Sequence, residues 1–158
     1  MTKHTLVALV EDKPGVLNRV ASLIRRRNFN IESIAVGHSE LPGLSRMTIV
    51  VDGATTAVEQ VRKQLEKVIE VVKVTDITGI RIVIRELALI KVHATSSTRG
   101  EIMQIVEVFR AKVVDVSTDS LIIEVTGGEE KIDSLYGLLK KFGIKELART
   151  GRIALPRS

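Results

Sequence analysis

Apolar residues recur along this chain with two periods that alternate in a fixed order, and the order occurs twice. Alternation by two marks a strand, because successive strand side chains point to opposite faces, whereas spacing by three and four marks one face of a helix. Residues 4–10 read as a strand. Residues 14–27 read as a helix with Leu17, Val20, Ala21 and Ile24 on one face. Strand-like runs at 30–37 and 45–52 flank a turn-rich segment containing Pro42 and Gly43. Residues 54–67 return to helical spacing through Val58, Val61 and Leu65, and residues 69–76 close as a strand. The order is βαββαβ.

The second half repeats it: strand 81–93, helix 98–110, strands 112–118 and 120–127 as a hairpin around Thr118–Asp119, helix 129–142 and strand 144–149. The helical stripes are Ile102, Ile105, Val106 and Phe109, then Ile132, Leu135, Leu139 and Phe142. The pattern predicts an α+β fold of two ferredoxin-like βαββαβ domains, 1–76 and 77–158, with antiparallel sheets and helices packed on one face. Helix-end signals support the spacing. Pro14 suits a first helical position, Thr98-x-x-Glu101 has capping-box spacing, Gly143 suits the residue after a helix, and the arginines at 25–27 suit a last turn.

Domains of this size bury only about 60% of their unfolded-chain surface. Stretches such as 6–10 and 82–84 are apolar at consecutive positions, hence on both faces, whereas an antiparallel sheet with one solvated face alternates. Something is expected to cover the second face. Obligate association, at least a dimer, follows as an expectation.

Composition excludes several kinds of chemistry. There is no cysteine, so neither a disulfide framework nor a thiolate ligand or nucleophile is available. The histidines, His4, His38 and His93, are isolated in sequence, and no nucleophile-elbow, phosphate-loop or dinucleotide motif occurs. Carboxylates are scattered over faces predicted to be solvated. No catalytic residue and no metal site is expected. The formal net charge of +5 is spread along the chain: eleven Lys and Arg against nine Asp and Glu in 1–76, thirteen against ten in 77–158. A nucleic-acid footprint is normally concentrated. RNA-recognition domains share the βαββαβ order but stack bases on aromatics of the central strands. Here the third strand, SRMTIVVD, has none; Phe109, Tyr136 and Phe142 fall on helices and Phe29 precedes a strand. No apolar run approaches a membrane span, and nothing at residues 1–10 has the form of a secretion signal. A cytoplasmic protein without nucleic-acid or membrane partners is expected.

The informative segment is the first strand–helix junction, Glu11-Asp12-Lys13-Pro14-Gly15-Val16-Leu17. A helix N-terminus presents unpaired N–H groups and partial positive charge to a carboxylate. Gly15 lets a ligand approach the backbone of Gly15 and Val16, and Asp12 can meet an ammonium group. Together these would recognise an amino acid; alone, they are equally a plain helix cap. Asn30, opening the second strand, is either a turn residue or an amide donor to a ligand carboxylate. His38 and the arginine triplet read as structural.

These same residues carry a family resemblance. The run EDKPGVLNRVASLIRRRNFNIESIAVG (11–37), followed by LSRMTIVVDG (44–53), resembles the N-terminal ACT domain of acetolactate (acetohydroxyacid) synthase small subunits. Asp12-x-x-Gly15-x-Leu17 alone is a general ACT signal; NIES with LSRMTI at this spacing is more specific. The likeness continues through RELALIKV (85–92), EVFRAKVVDVS (107–117) and ELARTG (146–151), nearly the whole chain. It implies a non-catalytic subunit that binds and activates a thiamine-diphosphate-dependent catalytic subunit and confers feedback inhibition by valine, leucine or isoleucine. Thiamine diphosphate, magnesium and FAD would belong to that catalytic partner alone, with no cofactor in this chain. The resemblance further implies a homodimer through the ACT domains. Effector sites would draw Asp12, Gly15, Val16 and Leu17 from one chain and Asn30 from the other. Asp12 departs from the asparagine found there in some members. The alternative is a stand-alone amino-acid-sensing ACT protein regulating a different enzyme, against which the matching second-domain segments speak.

Overall fold

A computed structural model of the chain describes residues 2–26 and 30–158. It contains two compact units, Met1–Val83 with Arg152–Ser158, and Ile84–Gly151. The repeat of elements divides the chain at 76/77. The units, defined by contact, instead divide at Val83–Ile84 and return the C-terminal segment to the first unit.

The first unit runs β1 (Thr2–Glu11), α1 (Val16–Arg26), β2 (Asn30–His38), β3 (Leu44–Gly53), α2 (Thr55–Glu66) and β4 (Val71–Asp76). The sheet order is β2-β3-β1-β4, antiparallel throughout. Register places Leu6 opposite Ile49 and Ala8 opposite Met47. These residues, with Val10 and Val51, meet Val16, Val20 and Ile24 of α1 and Val58, Val61 and Leu65 of α2 in one core. Period two on the strands and 3.6 on the helices thus converge on one layer interface. The expected continuation of helix 14–27 to residue 27, and Phe29, lie outside the described residues.

The second face of this sheet is also buried: Thr5, Val7, Thr48 and Val50 are all under 9% exposed. Here sequence reading missed a strand, β9 (Ile153–Pro156), having ended regular structure at 149. The alternation Ile153-Ala154-Leu155 was its signal, with Ala154 buried and its two neighbours exposed. This segment is tied to the second face, where the Arg46 guanidinium donates to the Ala154 carbonyl at 2.8 Å. The Arg152 amide reaches Ser33 Oγ at 3.5 Å. β9 pairs with β5, whose first residues belong to the same unit. Part of the expected cover therefore comes from the chain's own C-terminus.

The second unit is formed by β5 (Ile82–His93) from Ile84 onward, α3 (Arg99–Val108), β6 (Lys112–Val116), β7 (Ser120–Gly127), α4 (Glu129–Leu139) and β8 (Ile144–Arg149). Its strand order, β6-β7-β5-β8, matches that of the first. Ala88, Ile90, Val92, Leu121, Ile123 and Val125 pack under Ile102 and Val106 of α3 and Ile132, Leu135 and Leu139 of α4. Both units are ferredoxin-like, as the element order predicts. A buried carboxylate, Glu86, 4% exposed, is met at 2.5 Å by Arg149, which also reaches Asp133 at 2.9 Å.

Two helix-end expectations are corrected. Thr98 makes no side-chain cap, because its φ of −100° and ψ of −18° are already helical. Its hydroxyl instead accepts from the Thr95 amide at 2.9 Å, and Glu101 pairs with Lys141 at 2.6 Å. Pro14 lies in the turn before α1, which begins at Val16, so it is not the first helical residue. Gly143, at φ +100°, does end its helix, though after a 3-10 turn at Lys140–Phe142.

Candidate functional site

The β1–α1 junction is fixed by backbone bonds to neighbouring strands. The Glu11 amide donates to the Glu70 carbonyl at 2.7 Å and the Asp12 amide to the Gly43 carbonyl at 2.9 Å. The chain then reverses through Pro14 and Gly15, where φ is +83°, a left-handed conformation that L side chains rarely adopt. The Gly15 carbonyl accepts the first helical bond, from Arg19 at 3.0 Å, which makes Gly15 the N-cap residue. Arg19 in turn forms an ion pair with Glu70, clamping the first turn of α1 to the entry of β4.

Four of the five candidate residues therefore come together. Asp12 projects its carboxylate into solvent, and the amides of Gly15, Leu17 and Asn18 take no hydrogen-bond partner among the described residues. Val16 plays a different part from the one expected. Its side chain is in the core, and its amide leans to the Lys13 carbonyl at 3.4 Å. Leu17 is half exposed, and so are Val36 near the end of β2 and Leu41 in the β2–β3 turn, all at this end of the sheet. Sequence reading singled out neither Val36 nor Leu41. Their signal, apolar residues beside Pro42 and Gly43, is no stronger than that of any loop edge.

Asn30 stands elsewhere. It pairs with Asp52 at one end of the sheet, whereas His38, at the other end of the nine-residue β2, pairs with Ser45. At a strand rise of ~3.3 Å per residue this is roughly 26 Å of separation. The Asn30 side chain is exposed and donates to Glu32 at 3.2 Å. Within one chain it cannot share a small ligand with Asp12. β2 is, however, an edge strand.

Two histidines isolated in sequence acquire acidic partners. His38 Nδ1 lies 3.4 Å from the Asp12 carboxylate. His4, 4% exposed, has Nδ1 at 3.1 Å from Asp76, while its Nε2 is buried without a partner. Burial pushes the Asp76 carboxyl up, but hydrogen bonds from the Thr78 hydroxyl and amide and from His4 outweigh it and hold it below the ordinary range. Nothing among the described residues hydrogen-bonds to His4 Nε2, so the pair with Asp76 is the only polar contact seen for this ring. Among the described residues no group of three or more His, Cys, Asp or Glu is placed to hold a metal ion, and no helix is long and apolar enough to cross a membrane.

Comparison with known proteins places this geometry in context. Residues 6–73 match the family model described as the AHAS small subunit-like ACT domain, and residues 85–158 that of the small subunit of acetolactate synthase. A probable acetolactate synthase small subunit of Archaeoglobus fulgidus is 58% identical over 98% of this chain and 97% of its own length. The acetolactate synthase small subunit of Bacillus subtilis is 54% identical over 98% of this chain and 91% of its own. The crystal structure of the acetolactate synthase small subunit from Thermotoga maritima superposes with a TM-score of 0.93 at 47% identity, covering 100% of this chain and 99% of that one.

Proposed function

Because the chain belongs to the acetolactate synthase small-subunit family, we propose that it is the non-catalytic regulatory subunit of that enzyme, acting in the cytoplasm. It binds and activates the thiamine-diphosphate-dependent large subunit and confers feedback inhibition by valine or another branched-chain amino acid. Cofactor chemistry stays in the large subunit. Residues 1–76 serve as the sensing domain and 77–158 as the C-terminal domain that supports activation.

The observation that carries the sensing role is the pairing of the β1–α1 turn with an open β2 edge. The turn supplies a carboxylate, Asp12, for the effector's ammonium group, and the amides of Gly15, Leu17 and Asn18 for its carboxylate. Leu17, Val36 and Leu41 offer apolar surface to a short branched side chain. Antiparallel pairing of two copies along β2 opposes Asn30 of one copy to the His38 end of the other. That geometry supports a homodimer in which each site takes the turn from one chain and Asn30 from the second.

The test is calorimetric titration with valine, leucine and isoleucine, with alanine as control, followed by acetolactate assay with the large subunit. Saturable heat with a branched-chain ligand, lost in Gly15→Asp, together with effector-sensitive activation, is expected. Activation without heat or inhibition would remove the sensing role and leave only the activating one.

A further inference from the structure

We propose that β6, the edge strand of the second sheet, pairs antiparallel with β6 of a second copy of this chain, with Lys112 of each copy opposite Asp115 of the other. The contact is separate from the amino-acid site and from the β2 edge of the first unit. Among the described residues β6 bonds to β7 alone, so its outer side carries unpaired backbone groups. Apolar side chains stand beside them: Val114 is 49% exposed and Val116 63%.

Charge selects the occupant. Residues three apart on a regular strand point to opposite faces. The register of β6 against β7 shifts between Val113 and Asp115, and that bulge changes the count. Lys112 stands opposite Glu124 and Asp115 opposite Ile122, and those two β7 residues, two apart, share a face. A cation and an anion thus sit on one face of one exposed edge. Neither takes a hydrogen bond or an ion pair among the described residues, and Lys112 makes none even with Glu124. β8, at the other end of the strand order, differs: its Lys145 is held by Asp119 and its Arg149 by Glu86 and Asp133.

An edge lysine ordinarily deters pairing with another strand. Here the acid three residues along turns it into a mark of register. About a two-fold axis between Val113 and Val114, two copies of β6 set Lys112 against Asp115 twice, Val113 against Val114 twice and Ala111 against Val116 twice. A slip of one residue either way sets both charges against apolar residues. The edge is therefore self-complementary, as a two-fold contact between identical chains requires.

The chain has no cysteine, so disulfide trapping has no background. Full-length Lys112→Cys and Asp115→Cys chains carrying different tags are co-expressed, purified together and oxidised. Directly opposed residues of an antiparallel pair lie about 4.5–5.5 Å apart between Cα atoms, within disulfide reach. Residue 112 and its own copy are three residues, or ~10 Å, out of step. Linked dimers joining the two tags are expected, with none from either variant alone. No link in the mixture, or equal linking by either variant alone, overturns the pairing.

Charge reversal gives a second reading. Lys112→Asp and Asp115→Lys each set like charges together and should raise the dissociation constant of one self-association step ~10-fold in sedimentation. The double variant, Lys112→Asp with Asp115→Lys, restores both pairs and should return to the wild-type value. Unchanged association in both single variants overturns the proposal. Reversals that weaken only activation of the large subunit give this edge to that partner and overturn it equally.

Discussion

Asp12 and Asn30 stand at opposite ends of one four-stranded sheet, Asp12 beyond the Glu11–Leu44 end of the β1–β3 ladder and Asn30 paired with Asp52 at the other. A free amino acid is several times shorter than this separation. Any ligand touching both residues must be held by two chains. Asn30→Ala is expected to weaken effector binding by roughly 1–3 kcal/mol while leaving activation of the large subunit intact. Mixed dimers of Asn30→Ala with Asp12→Ala chains should regain one native site of the two, seen as half-stoichiometric binding in titration. Unchanged valine inhibition in Asn30→Ala would exclude it from the site.

Gly15 has a backbone reason to be glycine, whatever binds there. A Cβ at this position would meet Arg19 Nη1 at 3.5 Å, an ordinary contact, so space is not the constraint; the φ of +83° is. Gly15→Ala should therefore cost about 1–2 kcal/mol of stability, measured by urea unfolding. Gly15→Asn, a residue that tolerates the left-handed region, should cost less.

The His4–Asp76 pair predicts an acid-side stability change. Asp76 is held below the ordinary carboxylate range, so its contribution is fully present above the unfolded value, near 3.8. It is lost as pH falls through the lower folded value. Asp76→Asn should destabilise the protein at neutral pH and flatten its acid denaturation curve below about pH 4. A mutant curve parallel to that of the wild type would show that Asp76 contributes nothing through its charge.

Glu86 is buried and depends on Arg149, which is 30% exposed. Arg149→Met strands a carboxylate in the interior of the second unit and should cost about 3 kcal/mol. Adding Glu86→Leu should recover much of that loss, since replacing both partners with apolar groups removes the unpaired charge. Thermal unfolding of the single and double variants tests this.

Truncation tests the C-terminal segment. Removing residues 152–158 deletes the acceptor for Arg46 and the donor to Ser33, together with the buried Ala154. Reduced stability and self-association, measured by unfolding and sedimentation, are expected. A fragment ending near residue 76 lacks the same cover and the whole second domain. If that fragment gave full, valine-regulated activation, the second domain would have no part in it.

The βαββαβ order was legible twice over because the signals are local. Leu6–Val10 is a short unbroken apolar run, and Val20 and Ile24 recur at helical spacing, whether or not the chain is folded. Leu6, Ala8 and Val10 end in the same core as the two helix residues. Gly143 was legible as a helix-end residue for the same reason, since its requirement lies in its own φ, whereas the left-handed φ of Gly15 emerged only with the structure. The Thr98 cap failed because Thr95, three residues earlier, was the better-placed partner for the hydroxyl. Local spacing names candidates for a hydrogen bond without choosing between them.

The site divides in the same way. Sequence alone determined that residues 11–17 join a strand to a helix, with an acid before the helix and a glycine that leaves its backbone approachable. The bend at Gly15 and the helix start at Val16 came from the structure. Only the tertiary structure decided that Asn30 lies at the far end of the sheet, that His38 meets Asp12, and that Ala154 closes on the strand bearing Arg46. Each of those depends on ladder register or on contacts between residues distant along the chain. Such contacts are selected by the burial of whole faces, and a periodic pattern specifies which face is buried without specifying what lies against it.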